Sequence, residues 1–268
     1  LSGAHLSYGD FKDATFIGEG AIKLNGAGLA HADLSGSTLT ADSLFGTADG
    51  ATIDFSGANL GNADLSGAEL TAGGSYSTID FSGANLTNAN LRGAELNADG
   101  SYAATINFRG ANLASADLSG SMLTAYTSGF GGDATIDFSE ANLANADLSG
   151  SMLTAETSYG EATIDFTEAN LANADLSGSK LQAIAENSDG DAAIIDFTKA
   201  NLANADLRGA ELTAESSYAG STIDFTEAHL ANADLRGAQL TAKSIIGLEP
   251  LPPQTPSPPP PSHSSPQL

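Results

Sequence analysis

Large apolar residues recur at every fifth position over most of the chain. In the block that starts at Thr52, the residues Phe55, Leu60, Leu65 and Leu70 follow this spacing, and a small residue, mostly Ala, stands two places before each. An α-helix requires a period of 3.6 residues and a simple β-strand a period of two, so a period of five fits neither. Each step of five is therefore predicted to be a short extended piece plus a corner, with its large apolar side chain pointing inward.

Four such steps make one unit, which is predicted to close into a square coil. Coils that stack at about 4.8 Å bury one another's apolar faces. The pattern predicts an all-β parallel β-solenoid of about nine coils over residues 1–247. The tail, residues 248–268, is rich in Pro and Ser and is predicted to be extended or disordered. The nine sets of four begin at Leu1, Leu24, Phe55, Phe81, Phe108, Phe138, Phe166, Phe197 and Phe225.

Extra residues, between three and eleven of them, separate the fourth step of one coil from the first step of the next. They always fall at the same corner, which predicts a stack of loops along one edge. Aromatic residues in these loops are candidates for contact with a protein or a sugar, or for packing over the next loop. They are Tyr76, Tyr102, Tyr126, Tyr159 and Tyr218, with Phe130 beside them.

The repeated unit reads A-(D/N)-L-x-x, as in ANLANADLSG at 141–150 and 169–178. This motif resembles the pentapeptide-repeat family over roughly residues 1–246. The resemblance implies a right-handed quadrilateral β-helix. The family also includes acidic members that resemble B-form DNA and bind gyrase, so the resemblance implies this activity as one alternative. The extra residues at one corner depart from the simple family pattern.

Charge and composition narrow the classes of function. The chain has 33 acidic and 9 basic residues, a formal charge of −24. Direct nucleic-acid binding is not expected, because phosphate contacts need Lys and Arg, whereas a basic protein partner would be attracted. Cys is absent, which rules out thiolate metal sites and disulfides. No apolar run is long enough for a membrane span.

Stacking turns each repeat position into a column of equivalent residues. One column holds Asp54, Asp80, Asn107 and their successors, and its carboxylates are expected to cap turn amides of their own coils. Divalent cation binding is the alternative, with Asp137, Asp165 and Asp196 as weak candidates, because calcium needs six to eight oxygen ligands. The Asn columns are expected to form amide ladders along the axis.

Catalysis finds little support in the sequence. The four histidines, His5, His31, His229 and His263, lie far apart, and the first three occupy surface positions of the repeat. No nucleophile–base arrangement, phosphate loop or zinc spacing is present. The protein is therefore predicted to be non-enzymatic, with no cofactor.

A structural role in an extracellular or surface assembly is the first hypothesis for function. In this hypothesis, copies of the chain associate end to end to form a homo-oligomer. Leu1, Leu6, Phe11 and Phe16 at one end would meet Ile245 and Ile246 at the other, with Ile245 in phase with Leu240. Thr255, Ser257 and Ser262 in the tail are candidate O-glycosylation sites.

Two further hypotheses remain open at the level of the sequence. One is a cytoplasmic DNA mimic that binds a basic partner such as a type II topoisomerase. The other is a rod that binds ice or a polysaccharide through a column of threonines interrupted by Asn97 and Gln182. The threonines are Thr71, Thr124, Thr154, Thr213 and Thr241.

Overall fold

The structure, a computed structural model, describes residues 1–43, 50–129, 131–186, 191–217 and 220–247. Within these ranges the regular secondary structure is entirely β, and all strand pairs are parallel members of one continuous sheet. The sixteen strands are β1 (Thr15–Glu19), β2 (Ala21–Lys23), β3 (Thr38–Asp42), β4 (Ala51–Asp54), β5 (Glu69–Asp80), β6 (Glu95–Asn107), β7 (Met122–Thr127), β8 (Asp133–Asp137), β9 (Met152–Thr157), β10 (Ala162–Asp165), β11 (Lys180–Ala185), β12 (Ala193–Asp196), β13 (Glu211–Ser216), β14 (Ser221–Asp224), β15 (Gln239–Thr241) and β16 (Ser244–Ile246).

These strands stack into two ladders that run the length of the rod. The fourth-face ladder contains β1, β3, the first halves of β5 and β6, then β7, β9, β11, β13 and β15. The isoleucine ladder contains β2, β4, the second halves of β5 and β6, then β8, β10, β12, β14 and β16. Together the two ladders form the corner where the extra residues are inserted.

The extra residues are inserted at the predicted corner, but many of the described ones form strands rather than the predicted loops. In β5 the inserted residues alternate between buried positions and half-buried or exposed ones, and so extend the sheet beyond the fourth face. From β4 to β14, each strand of the isoleucine ladder buries one isoleucine two residues before the first-face Phe. The five-residue spacing did not predict this extra core column, because its isoleucines lie between the positions that the spacing marks. Its fully buried members are Ile53, Ile79, Ile106, Ile136, Ile164, Ile195 and Ile223.

The second and third faces differ from the predicted β-faces. They pair with neighbouring coils through single-residue bridges, such as Asn59 to Asn85 and Asp64 to Asn90, rather than through strands. Each step there ends in a tight turn, and Ala63 N–H donates to the Leu60 carbonyl at 2.9 Å. The turn places the fifth residue of the step at positive φ, which Asn and Gly adopt most readily. Asn62, at φ 58°, is one example.

The predicted ladder of inward-facing Phe and Leu is confirmed in the core. The Phe rings of the first face stack in parallel, with centroids 4.8 Å apart for Phe55 and Phe81 and 5.1 Å apart for Phe138 and Phe166. The leucines of the other faces are equally buried, and Leu148 is 2% exposed. The alanines two places before the large residues fill the corners, as expected from the sequence.

The regular β-helix has about seven turns, two fewer than the predicted count. These are the turns that begin with a fully buried Phe, from Phe55 to Phe225. The two N-terminal sets, which begin at Leu1 and Leu24, continue the same register but lack that Phe, and Leu1 is 63% exposed. The solenoid prediction holds, while the N-terminal sets are a less regular extension of it.

One prediction near the C-terminus is wrong. Ile245 does not continue the five-residue ladder after Leu240, because it pairs with Ile223 in the isoleucine ladder. Gly247 instead follows at the level of the first-face residues. The predicted boundary between residues 247 and 248 coincides with the end of the described residues. The tail, with Thr255, Ser257 and Ser262, lies outside them.

Candidate functional site: the side columns and the ends of the rod

The column of acidic residues beside the Phe stack has the capping geometry that the sequence predicted. In each coil Oδ1 accepts a hydrogen bond from the backbone N–H two residues further on, at 2.9 Å from Ser56 to Asp54 and 2.7 Å from Thr167 to Asp165. Asn107 fills the same role with its side-chain oxygen, at 2.9 Å from the Arg109 N–H. The column therefore has a structural function in closing the turn of each coil.

The three acidic residues named as weak cation candidates, Asp137, Asp165 and Asp196, are consecutive in this column. Burial raises the pKa of the Asp165 carboxyl, and the neighbouring carboxylates of Asp137 and Asp196 raise it further. Within the described ranges no group of three or more His, Cys, Asp or Glu is arranged to hold a metal ion. The carboxylates of this column place negative charge along the rod.

We expect Asp165→Asn to raise the free energy of unfolding at pH 7 by about 0.5–1 kcal/mol, after allowance for solvent screening. Asn keeps the acceptor for the Thr167 N–H, as Asn107 does in its own coil, and it removes a charge between Asp137 and Asp196. Because the pKa of the Asp165 carboxyl is raised in the folded state, its charged form lowers the free energy of unfolding at neutral pH. This cost disappears as the pH falls through the raised pKa.

Urea unfolding at pH 7 and pH 3 checks this expectation, and the advantage of the variant should be smaller at pH 3. Asn107→Asp is the matched control, because it adds a charge to the same column between Asp80 and Asp137. It should lower the stability at pH 7. A shift of both variants in the same direction would show that charge repulsion does not govern the column.

The asparagine column of the second face forms the amide ladder that the sequence predicted. Asn85 Nδ2 donates to Asn59 Oδ1 at 2.9 Å, and Asn201 Nδ2 donates to Asn170 Oδ1 at 3.0 Å. The column ends at His229, which pairs with Asn201 through a backbone bridge. These side chains satisfy one another along the axis, which indicates a stabilising role.

The third face carries the best-formed charged contacts, close to the C-terminal end. Arg208 donates to Asp206 in its own coil, and its Nε lies 3.9 Å from Asp234 Oδ2 in the next coil. Arg236 donates to Asp234 in the same way. The hydrogen bond from Arg236 lowers the pKa of the Asp234 carboxyl to about 2. Each arginine thus binds its own Asp, and Arg208 also approaches the Asp one coil further on.

The predicted row of tyrosines at one edge is not a single column. Tyr76 and Tyr102 are neighbours, with ring centroids 5.8 Å apart and about half of each side chain exposed. Tyr126 is level with Asp99 and Glu156 in the fourth-face ladder instead. Tyr159 follows the end of β9 and is half-buried. Tyr218 and Phe130 lie outside the described residues.

The threonine column of the fourth face has the register expected from the sequence, with Asn97 and Gln182 as its interruptions. The isoleucine ladder carries a second threonine column, which the count by fives also missed. It is interrupted at Ile194. Its members are Thr52, Thr78, Thr105, Thr135, Thr163 and Thr222.

The two ends of the rod expose apolar side chains that are buried in the middle coils. Leu6, Phe11 and Phe16 are only partly buried at the first end, as are Leu230, Leu235 and Leu240 at the other. Ile245 and Ile246 are each 43% exposed. A cleft of about 400 Å³ at the N-terminal end is lined in part by Leu1 and Phe16, and one of about 480 Å³ at the inserted corner is lined in part by Thr241, Ala242 and Lys243.

The described histidines lie apart from one another along the rod. His5 and His229 belong to opposite ends of the same bridge column, and the His31 ring stacks on Tyr8 with centroids 4.7 Å apart. In the part of the chain that the structure describes, no helix has the length and apolar character needed to cross a membrane. His263 lies outside that part.

Comparisons with known proteins point to one family. The sequence profile for pentapeptide repeats matches eight copies, and its matches cover more than half of the chain. No curated protein matches the chain in sequence. The matched ranges are 53–72, 79–98, 100–125, 136–155, 164–182, 195–214 and 223–242.

Solved structures similar to this chain are pentapeptide-repeat proteins of low sequence identity. HetL, involved in heterocyst differentiation regulation in the cyanobacterium Nostoc sp. strain PCC 7120, is 23% identical over 89% of this chain and 88% of its own, with a TM-score of 0.22. Full-length QnrB1, a plasmid-mediated fluoroquinolone resistance protein, is 18% identical over 84% and 91%, with a TM-score of 0.23. Rfr23 from the cyanobacterium Cyanothece 51142 is 26% identical over 60% and 63%, with a TM-score of 0.19.

The family profile and the fold agree on the same five-residue unit. Six of the seven matched ranges begin two residues before a first-face Phe, and the six coils that begin at Phe55 to Phe197 each bury one Phe and three Leu in a parallel β-helix. The chain belongs to the pentapeptide-repeat family.

Proposed function

We propose that the protein is a non-enzymatic structural scaffold whose rods associate end to end, as a subunit of an extracellular or surface assembly. The observation that carries the proposal is the backbone hydrogen bonding of the coils at the two ends. In the middle of the rod each coil bonds to both neighbours: Leu171 N–H donates to the Asn201 carbonyl, and Asn170 N–H to the Ala141 carbonyl. Within the described residues, the coils that begin at Leu1 and at Phe225 have such a neighbour on one side only.

In the part of the chain that the structure describes, the two end coils combine strand edges that pair on one side only with exposed core residues. Leu1, Leu6, Phe11 and Phe16 are aligned with the fully buried columns of the middle coils, and a second copy would bury them in the same way. A sheet edge that presents backbone donors and acceptors is a template for another chain. A contact between unlike ends does not close on itself, so it propagates as a filament.

Sedimentation velocity over a range of protein concentrations, with electron microscopy of the same samples, tests the proposal. The expected result is a species that grows with concentration beyond the 26.9 kDa monomer and appears as rods longer than one molecule. Leu6→Asp places a charge in the terminal core and should weaken association at least tenfold. Asn173→Asp, an exposed position in a middle coil, is the control and should leave association unchanged. A monomer at every concentration would contradict the proposal.

A second candidate is an acidic rod that binds a basic protein in place of DNA. The observation that favours it is the carboxylate column beside the Phe stack, in which Asp137, Asp165, Asp196 and Asp224 follow one another without a basic residue between them. Such a column would attract a cationic groove. Adding a purified type II topoisomerase to the same sedimentation experiment would show a salt-sensitive complex if this candidate is correct.

A further inference from the structure

The geometry points to a lateral, antiparallel pair of rods, in which the fourth face of one copy packs on the fourth face of a second copy around Met122 and Met152. This pairing goes beyond the proposed end-to-end association, because it uses residues in the middle of the rod and does not involve its ends. It follows from the order of the side chains along two columns of that face.

The fourth face is flat over the central coils. Adjacent strands of most sheets are rotated by about 20–25° relative to one another. Here the stacked rings report almost no rotation between coils, since the interplanar angle is 0° for Phe108 and Phe138 and 2° for Phe138 and Phe166. The columns of the fourth face therefore run straight along the rod, and a second flat face can contact them over several levels.

The residues that directly precede the fourth-face leucines form one outward-facing column, the Met column. From β3 to β15 it consists of Thr38, Glu69, Glu95, Met122, Met152, Lys180, Glu211 and Gln239. Met122 and Met152 are neighbours at its centre, and Met122 is 43% exposed. They are the only two methionines of the chain. Exposed methionines are typical of surfaces that contact another protein.

The order of residues in the Met column is self-complementary about its centre. Glu95 lies one level before the two methionines, and Lys180 lies one level after them. A two-fold axis along the strand direction, between β7 and β9, places Met152 of a second copy opposite Met122. It also places Lys180 of the second copy opposite Glu95. Each contact occurs twice in such an interface, so the pair gains a cluster of four methionines and two ion pairs.

The threonine column of the fourth face has the same symmetry. Asn97 and Gln182, which interrupt it, each lie one level from the central residues Thr124 and Thr154. The two-fold axis places the Gln182 amide of the second copy opposite the Asn97 amide, and two amides can exchange hydrogen bonds. Thr124 and Thr154 of the two copies face each other between these amides. The interruptions of the threonine column thus become matched contacts.

The charges of the face favour an antiparallel pair over a parallel one. In a parallel pair each level meets itself, so Glu95 would meet Glu95 or Asp99 of the second copy, and the carboxylates would repel. The antiparallel pair also brings two carboxylates together, Glu69 and Glu211 of the second copy. However, Lys180 Nζ lies 3.1 Å from Glu211 Oε2 in the same chain and offsets that charge.

The fourth face is large enough for a stable pair. Eight strands of its described ladder, from β3 to β15, lie symmetrically about the proposed two-fold axis. At a spacing of about 4.8 Å they extend over about 38 Å, and a strand of six residues is about 20 Å long. Contact over this area would bury roughly 1,500 Å² in the two copies together, which is the size of a typical specific interface.

Charge reversal in the full chain, followed by sedimentation velocity, tests the two ion pairs. Glu95→Lys and Lys180→Glu should each weaken dimerisation about tenfold, because each variant places like charges opposite one another. An equimolar mixture of the two variants should restore the dimer, since every contact then joins a Lys to a Glu. Circular dichroism checks that both variants keep the fold. A mixture that associates no better than either variant alone would overturn the pairing.

Leu6→Asp separates this contact from the proposed end-to-end association, which it weakens. In this background the chain should reach twice the 26.9 kDa monomer mass and no more. Adding Met122→Lys should return it to the monomer, whereas Asn145→Lys, at an exposed turn away from the fourth face, should have no effect. A Leu6→Asp chain that is monomeric at every concentration would overturn the lateral pair and leave the end-to-end proposal standing. A parent that stops at the dimer would do the reverse.

A polysaccharide is the other occupant that a flat face with threonines could take. Retention of the Leu6→Asp chain on insoluble cellulose can be measured beside its sedimentation. A chain that stays monomeric and is retained, with retention lost in the Met122→Lys variant, would overturn the pair in favour of a carbohydrate ligand.

Cysteine cross-linking tests the polarity of the pair, because the chain contains no cysteine. Asn97→Cys and Gln182→Cys face each other in the antiparallel pair, so a short bismaleimide should link them when the two variants are mixed. Asn97→Cys alone should give no cross-link, because its two copies lie three levels apart, about 14 Å along the axis. A cross-linked dimer from Asn97→Cys alone would show a parallel pair and overturn the inference.

Discussion

Leu148→Asp is expected to lower the free energy of unfolding by roughly 3–5 kcal/mol, because it buries a charge that has no partner. Leu148 is 2% exposed, and its column places it between leucines of the coils above and below. Water cannot reach the new carboxylate unless at least one coil interface opens. Urea unfolding followed by circular dichroism measures the change.

Asn145→Asp provides the matched control for Leu148→Asp. It introduces the same side chain three residues away, at an exposed turn position with φ 59°, a conformation that Asp adopts readily. The change in stability there should be within about 0.5 kcal/mol. If both variants unfolded at the denaturant midpoint of the parent, the five-residue register would be wrong.

Phe166→Ala is expected to cost roughly 3–5 kcal/mol, because it leaves a cavity in the middle of the ring stack. The Phe166 ring lies 5.1 Å from Phe138 and 4.9 Å from Phe197, and both neighbours belong to rigid coils that cannot move together to fill the space. The free energy of unfolding, measured in urea at a low protein concentration, checks the expectation.

Phe11→Ala serves as the comparison for Phe166→Ala. Phe11 belongs to the first coil and is only partly buried, so its removal takes less apolar surface from the core and should cost less than half as much. At low protein concentration the proposed end-to-end association does not contribute to this difference. If the two variants lost the same free energy of unfolding, the Phe stack would contribute no more to the stability of the rod than a partly buried residue in its first coil.

The sequence predicted the core columns and their capping groups because every coil repeats the same local geometry. When four steps close a coil, large residues at every fifth position can be buried in only one way. The burial of Phe55, Leu60 and their equivalents could therefore be predicted directly. Asp54 and Asn59 were also predictable. Their side chains act within their own turn or on the equivalent residue of the next coil.

The inserted corner could not be predicted by the same count. Its residues follow a period of two, and Ile53 and Ile79 become core residues through pairing with inserted segments from neighbouring coils. The pairing depends on which inserted residues share a level, and the lengths of the insertions differ from coil to coil. For the same reason Tyr76 and Tyr126 belong to different ladders, although both follow a fourth-face leucine.

The inserted corner also makes the pitch of the rod independent of the length of each repeat. Successive members of the asparagine ladder are 26, 30, 28 and 31 residues apart where their amides bond directly. Yet the Phe rings beside them keep centroid spacings of 4.8 to 5.1 Å. The residues added at the corner therefore do not add to the rise of each coil. Sequence can therefore be gained or lost at this corner during evolution, and a peptide grafted there would project from the rod without changing its rise.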